Sequence, residues 1–300
     1  METQPLANSA VRSAGTPRRV RQVIEPQMVI EGAGVLLRRS FGPSRANPFD
    51  PFLLFDHFAF NDPREAPVWG FPTHPHRGIE TVTYMLEGNV RHRDSLGNMG
   101  VIGPGDVQWM TSGRGILHEE MPQPSPSGRV NGFQLWVNLP AAQKMSPPRY
   151  QEVTADGIPA ATKNGVRVRV VAGEHDGTRG PVGEIAAQPL YMDVSLEPGA
   201  AIRVPIAAGK TALAYVFEGQ GRFGLDEDGR GETVTAVKML AFDDGDQLRV
   251  AASETSPVRF MLVAGAPFGE PIVPYGPFVM NTDEEIRQAL ADLRAGTFVT

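Results

Sequence analysis

Apolar positions along the chain fall into two stretches, residues 27–139 and 165–266, in which short hydrophobic runs are separated by turn-forming clusters. That spacing predicts many short strands joined by tight turns, and an all-β fold rather than a helical bundle. Between the two stretches lies AAQKMSPPRYQEVTADGIP, turn-rich and read as a linker over residues 141–164. Residues 1–22 show no periodicity and predict a disordered basic arm, with Arg12, Arg18, Arg19 and Arg21 against Glu2. One helix stands out near the C-terminus, in TDEEIRQALADLRAG. Thr282 and Glu285 form a capping box, Ile286, Leu290 and Leu293 recur at helical spacing, and Gly296 suits the C-cap.

The two stretches share one plan. Tyr84-Met85-Leu86-Glu87-Gly88 aligns with Tyr215-Val216-Phe217-Glu218-Gly219 at an offset of 131, and PGDVQWM (104–110) aligns with DGDQLRV (244–250) at 140. A repeated strand, turn and strand pattern of this size implies two similar β-barrels or sandwiches in tandem, with domains at 23–140 and 165–300.

Composition narrows the chemistry. The chain of 300 residues has no cysteine, which excludes disulfides, thiolate zinc sites, iron–sulfur clusters and a thiol nucleophile. Any metal must therefore be held by His, Asp or Glu. A net charge of -6 gives no general affinity for nucleic acid. No apolar run approaches the roughly 18 residues that span a bilayer, and the N-terminus lacks the apolar core of a signal peptide, so a cytoplasmic protein is expected.

Six histidines occur, and two form His74-Pro75-His76 while a third opens His118-Glu119-Glu120. In a strand, residues i and i+2 share a face, so His74 with His76, and His118 with Glu120, can converge inside a small barrel. Three imidazoles and one carboxylate suit a divalent first-row ion such as Fe, Mn, Ni, Cu or Zn.

The segments THPHRGIETVTYMLEG, HRDSLGN, GVIGPGDVQWMTSGRGILHEEMP and NGFQLWVNLP closely resemble the pirin family of the cupin superfamily. The resemblance covers most of residues 27–139, continues more weakly through the second half, and includes the terminal EPIVPYGPFVMNTDEEI. It implies a bicupin, two tandem jelly-roll-like barrels with a short C-terminal helix, and one metal ion, Fe(2+) foremost, in the N-terminal barrel. The ligand pairs of the family fall on His74 and His76, and on His118 and Glu120. Glu119 departs from the family, which more usually has a small polar residue there; its opposite parity points it away from the metal. Applied to the repeat, the two offsets place Pro205, Ala207, Val258 and Phe260 at the ligand positions of the second copy, so that barrel is expected to be metal-free.

Other candidates carry less. Glu80 shares the parity of the histidine pair and is read as a group that orients a histidine or pairs with Arg77. His92 is read as a surface or outer-sphere residue, with the barrel lining as its other reading. His57 and His175 are expected at the surface. Trp109, Phe133 and Trp136 are expected in barrel core, one of them facing an aromatic substrate. Gly219-x-Gly221-x-x-Gly224, with Asp244 further on, has the spacing of a dinucleotide fingerprint, but the acidic glycine-rich turn after it is no helix, which argues against nucleotide binding.

The activity that the resemblance implies is that of a quercetinase-type dioxygenase, acting on a small aromatic chelating substrate and O2, with Glu120 as base. The alternative is a redox-responsive regulator acting on a protein partner through its iron. Another cupin reaction on the same ligand set remains open, since the motif defines the metal site better than the substrate.

Overall fold

The computed structural model describes residues 15–59, 70–123 and 125–299. Among the described residues nearly all the regular structure is antiparallel β, with one α-helix, Asp283–Ala295. In the N-terminal half a seven-stranded sheet faces a four-stranded one. The larger contains Phe52–Phe58, Ile79–Glu87, Val107–Thr111 and Asn131–Asn138; the smaller is built from Phe71–His76, Asn89–Asp94, Met99–Ile102 and Ile116–Gln123. The C-terminal half repeats the plan within a ten-stranded sheet system.

Strand alternation explains how the barrels stack. On the larger N-terminal sheet Val82, Tyr84, Trp109, Phe133 and Leu135 point outward and meet Leu213, Tyr215 and Met261 from the second barrel in one interdomain core. Trp109 and Phe133 therefore fill the seam between barrels, not a barrel interior. The other face of the same strands carries Thr83, Gln134 and Trp136 into the first barrel.

The second barrel is closed to such chemistry, because its interior is a plug of buried valine, leucine and phenylalanine. Strand pairing revises the register of the repeat. Glu120 lies opposite His92 in the first barrel, and Val250 lies opposite Phe223 in the second, an offset of 130 rather than 140. The counterparts of His118 and Glu120 are thus Leu248 and Val250. Since His118 pairs with His74 and Leu248 with Val204, the His-x-His counterparts are Val204 and Ile206. All four are buried and apolar, so none can ligate a metal.

The chain ends cross between barrels. Val20–Ile24 pairs with Lys238–Phe242 of the second barrel. Arg18 is 1% exposed, donating to the carbonyls of Ala207 (2.8 Å) and Asp243 (3.1 Å). The arm expected to be disordered is thus docked from Gly15 onward, because backbone oxygens and Asp244 take up a guanidinium that charge patterning reads as solvated. Residues 1–14 of that arm lie outside the described residues. Nor is the 141–164 segment a free linker. Arg149–Val153 extends the first barrel's sheet beside Val107–Thr111, and Ala160–Lys163 extends the second beside Val166–Ala172.

The helix forms as its sequence indicates, with the Thr282–Glu285 capping box made and Gly296 left-handed at the C-cap. It packs against the first barrel rather than the second. Arg77, 3% exposed, donates to Asp292 Oδ2 at 2.6 Å and to the carbonyls of Arg114 and Phe298, with its guanidinium 4.4 Å from the Phe298 ring centre. Gly78, at φ +80°, brings the chain so close to Val279 that a Cβ would collide with its carbonyl. Arg77→Ala is expected to destabilise the protein by about 3 kcal/mol, since it strips a buried charge from its partner and its packing. Thermal or denaturant unfolding measures this, and a change below about 0.5 kcal/mol, the level of an ordinary surface substitution, would contradict it.

Candidate metal centre

The two histidine motifs meet where Phe71–His76 pairs with Ile116–Gln123, in the register His118 opposite His74. Rings that sequence separates by more than forty residues become neighbours by backbone pairing alone. His74 Nε2 lies 3.1 Å from His76 Nε2 and 2.9 Å from His118 Nε2, and the three imidazoles offer nitrogens all within 4.8 Å of one another. His76 and His118 are buried, at 2% and 0% exposure, and His74 is partly open.

The protonation of the rings is set from behind. His74 Nδ1 faces the Pro72 carbonyl at 3.0 Å and His76 Nδ1 faces the Pro277 carbonyl at 3.2 Å. A carbonyl only accepts, so both Nδ1 atoms carry the proton and both Nε2 lone pairs turn inward. At 3.1 Å those lone pairs confront each other with no proton to share. Burial, followed by the neighbouring His74, pushes His76 down to about 3; burial, followed by the neighbouring histidines, also pushes His118 well below the usual histidine value. Three imidazole nitrogens that converge in this way are a donor set that suits a divalent first-row ion.

Glu120 follows on the same strand and lines the cavity beside His74, but its carboxylate is not part of the three-nitrogen group. Its oxygens lie instead against Thr83 Oγ1 (3.0 Å) and Gln134 Nε2 (3.3 Å). The walls of the cavity include Val35, Leu37, Phe58, Val90, Val130 and Trp136. Trp136 stands edge-on to His76 with ring centres 5.1 Å apart, and of the three large aromatics it is the one that faces this site.

Several weaker candidates move. Glu80 turns into the seam between barrels, where Oε1 accepts from Thr111 Oγ1 at 2.8 Å, and it orients no histidine. The parity count fails because the chain bends at Arg77-Gly78 between the two strands. Arg77 is taken by Asp292. His92 is fully buried inside the first barrel, stacked on Tyr150 and 5.3 Å, centre to centre, from His118. His57 is also buried, between Tyr215 Oη at 2.9 Å and Asn131 Oδ1 at 3.0 Å, and His175 is 8% exposed. The glycine triplet at 219–224 ends the strand Thr211–Phe223 and opens no helix. Thr83 and Gln134 went unnoticed in the sequence, where polar residues on a strand look like its wet face.

Burial pushes Glu80 up to about 7, with Thr111 and Trp109 opposing. Its folded value is raised above the unfolded one, so its ionisation costs stability progressively as pH rises from about 4.5 to 7. Glu80→Gln removes that cost, and is expected to stabilise the protein by about 2 kcal/mol at pH 8 and by little at pH 4.5. Equal effects at both pH values in urea titrations would show that Glu80 carries no such strain.

Two stacked β-barrels, with a convergent histidine triad in one and an apolar plug in the other, define a bicupin with one metal-binding barrel. The chain matches the Pirin family over residues 34–137 and the Pirin C-terminal cupin domain over residues 191–299. It belongs to the pirin family. It is 46% identical over 283 residues to a Pirin-like protein of Caulobacter vibrioides, covering 94% of this chain and 99% of that one. To Pirin of Homo sapiens it is 41% identical over 281 residues, 93% of each chain. Its fold superposes with a TM-score of 0.83 on the crystal structure of Quercetin 2,3-dioxygenase from Acinetobacter baumannii, at 33% identity, covering 95% of this chain and 100% of that one. Among the described residues no helix is long and apolar enough to cross a membrane.

Proposed function

We propose that this protein is a metal-dependent dioxygenase of the quercetinase type, acting with O2 on flavonol-like enols that carry a hydroxyl beside a keto group. The observation that carries the reading is the inward-facing histidine triad with a carboxylate beside it, at the wall of an apolar, aromatic-edged cavity. The likeness to the Acinetobacter quercetin 2,3-dioxygenase supports the same chemistry.

In this reading His74, His76 and His118 hold a divalent ion, Fe(2+) foremost, and Glu120 completes the set. The ion would stabilise the deprotonated enol and let its electron density pass to O2. Glu120 accepts the proton of the substrate hydroxyl, and the electron pair of the broken O–H bond stays on the enol oxygen. Val35, Leu37, Phe58 and Val130 exclude water from the planar ring, while Trp136 gives it an aromatic edge to lie against. Ring cleavage then releases carbon monoxide.

The test is an anaerobic-to-aerobic transfer of the iron-loaded protein with quercetin. Oxygen uptake and carbon monoxide release on admission of air are expected; flavonol binding without oxygen uptake would remove the enzyme reading. That result would favour a regulator that reports its metal state to a protein partner. One contact speaks for this second reading, the tie from His76 through the Pro277 carbonyl to the C-terminal segment.

A further inference from the structure

A row of polar side chains crosses the largely apolar wall of the first barrel. Strand pairing sets Thr83 beside Gln134, Gln134 beside Asp56, and Asp56 beside Arg39, one from each of four neighbouring strands. Thr83, Gln134 and Asp56 line the cavity that holds His74 and Glu120, whereas Arg39 lines a vestibule outside it. Phe71, His74 and Trp136 belong to both spaces, so the one opens beside the other. Asp56 is 4% exposed, and Arg39 grips it with two bonds, Nε to Oδ1 at 2.9 Å and Nη2 to Oδ2 at 2.8 Å. Arg39 Nη1 donates to Glu31 Oε1 at 2.7 Å, so the guanidinium is held from both sides and fixes the carboxylate in turn. A carboxylate has about four acceptor sites, of which the Arg39 fork occupies two. Thr83 Oγ1 lies 3.0 Å from Glu120 Oε1, and Asp56 stands two strands further along the row, roughly 10 Å across the sheet.

We propose that Asp56 is a specificity-determining residue, accepting a hydrogen bond from a phenolic hydroxyl at the end of the substrate remote from the enol, with Arg39 as its positioning residue. The inference rests on the reading that places the enol beside Glu120 and the histidine triad. A flavonol is a long, planar ligand that spans the two carboxylates, its enol at Glu120 and a hydroxyl of a distal ring at Asp56. The aliphatic and aromatic walls hold any flat ring system alike. A fixed acceptor among them tells a hydroxylated ring from a bare one.

Quercetin and 3-hydroxyflavone separate the two ends, since both carry the 3-hydroxyl and 4-keto groups and only quercetin carries further hydroxyls. The iron-loaded protein is expected to favour quercetin in kcat/KM. Asp56→Asn is expected to cut that preference about tenfold through KM, the margin of a charged acceptor over a neutral one, with a much smaller change for 3-hydroxyflavone. Arg39→Lys keeps the charge but loses the fork, and lowers the same preference severalfold; it decides the question should the Asn variant fail to fold. A parallel fall for both flavonols would mark a merely structural ion pair and overturn the proposal. So would an unaltered protein that treats the two alike, or a preference unchanged in the folded variants. Anaerobic fluorescence titration of the zinc-loaded protein reads the same preference as binding affinity. If neither flavonol is consumed in air and Asp56→Asn still reduces the binding preference, the subsite stands and the dioxygenase reading falls.

Discussion

His118→Ala is expected to reduce bound metal from near-stoichiometric to background and to abolish flavonol consumption. The imidazole of His118 is the member of the triad that joins the two motifs, 2.9 Å from His74 Nε2, and it is fully buried. Without it only two nitrogens remain, both on one strand, and metal affinity should fall by more than about a hundredfold, beyond the usual effect of losing an outer-sphere partner. The fold should survive, because the lost ring belongs to the histidine cluster inside the first barrel and not to the interdomain core, and an unchanged circular dichroism spectrum checks this. His92→Ala is the matched control. That ring lies in the same barrel, with its Nε2 3.4 Å from Asp94 Oδ2, and is not among the three converging nitrogens, so metal content should be retained. Full metal in the His118 variant, measured by elemental analysis, would refute the ligand assignment.

The histidines were legible in the sequence because a two-residue period survives within a single strand. His74 with His76 lies inside Phe71–His76, and His118 lies inside Ile116–Gln123. The same rule failed for Glu80, because the bend at Gly78 separates it from the histidine strand and turns it to the other face. Capping chemistry is equally local, so Thr282, Glu285 and Gly296 marked the helix correctly. Where that helix would dock was not legible, since the contacts of Arg77 with Asp292 and Phe298 cross more than two hundred residues. His57 and Arg18 misled for a related reason. Their burial depends on Tyr215 and on the carbonyl of Ala207, partners supplied by the other end of the chain. The repeat register slipped because Gly105-Asp106 finds a matching Gly245-Asp246 at the false offset, whereas Thr235-Ala236 stands at the true one; strand pairing separates them.

Glu120→Gln is expected to separate metal binding from chemistry. The three imidazoles are untouched and an amide oxygen can take the place of the carboxylate oxygen as a weaker ligand, so the variant should keep most of its metal, while turnover falls by roughly 10²–10⁴-fold, the range for loss of a general base. The change is nearly isosteric, and the Gln134 amide can flip to meet the new NH2 group, so packing around Thr83 should be kept. Anaerobic titration with quercetin makes the distinction visible before any oxygen enters. The unaltered protein should convert bound flavonol to its deprotonated form, with the red-shifted absorption of the enolate. The variant should bind flavonol in its neutral form, because the nearest oxygen able to take the proton is gone. Two outcomes are incompatible with Glu120 as proton acceptor: turnover within threefold of the original, or an undiminished enolate band. Loss of metal together with turnover would instead make Glu120 an indispensable ligand.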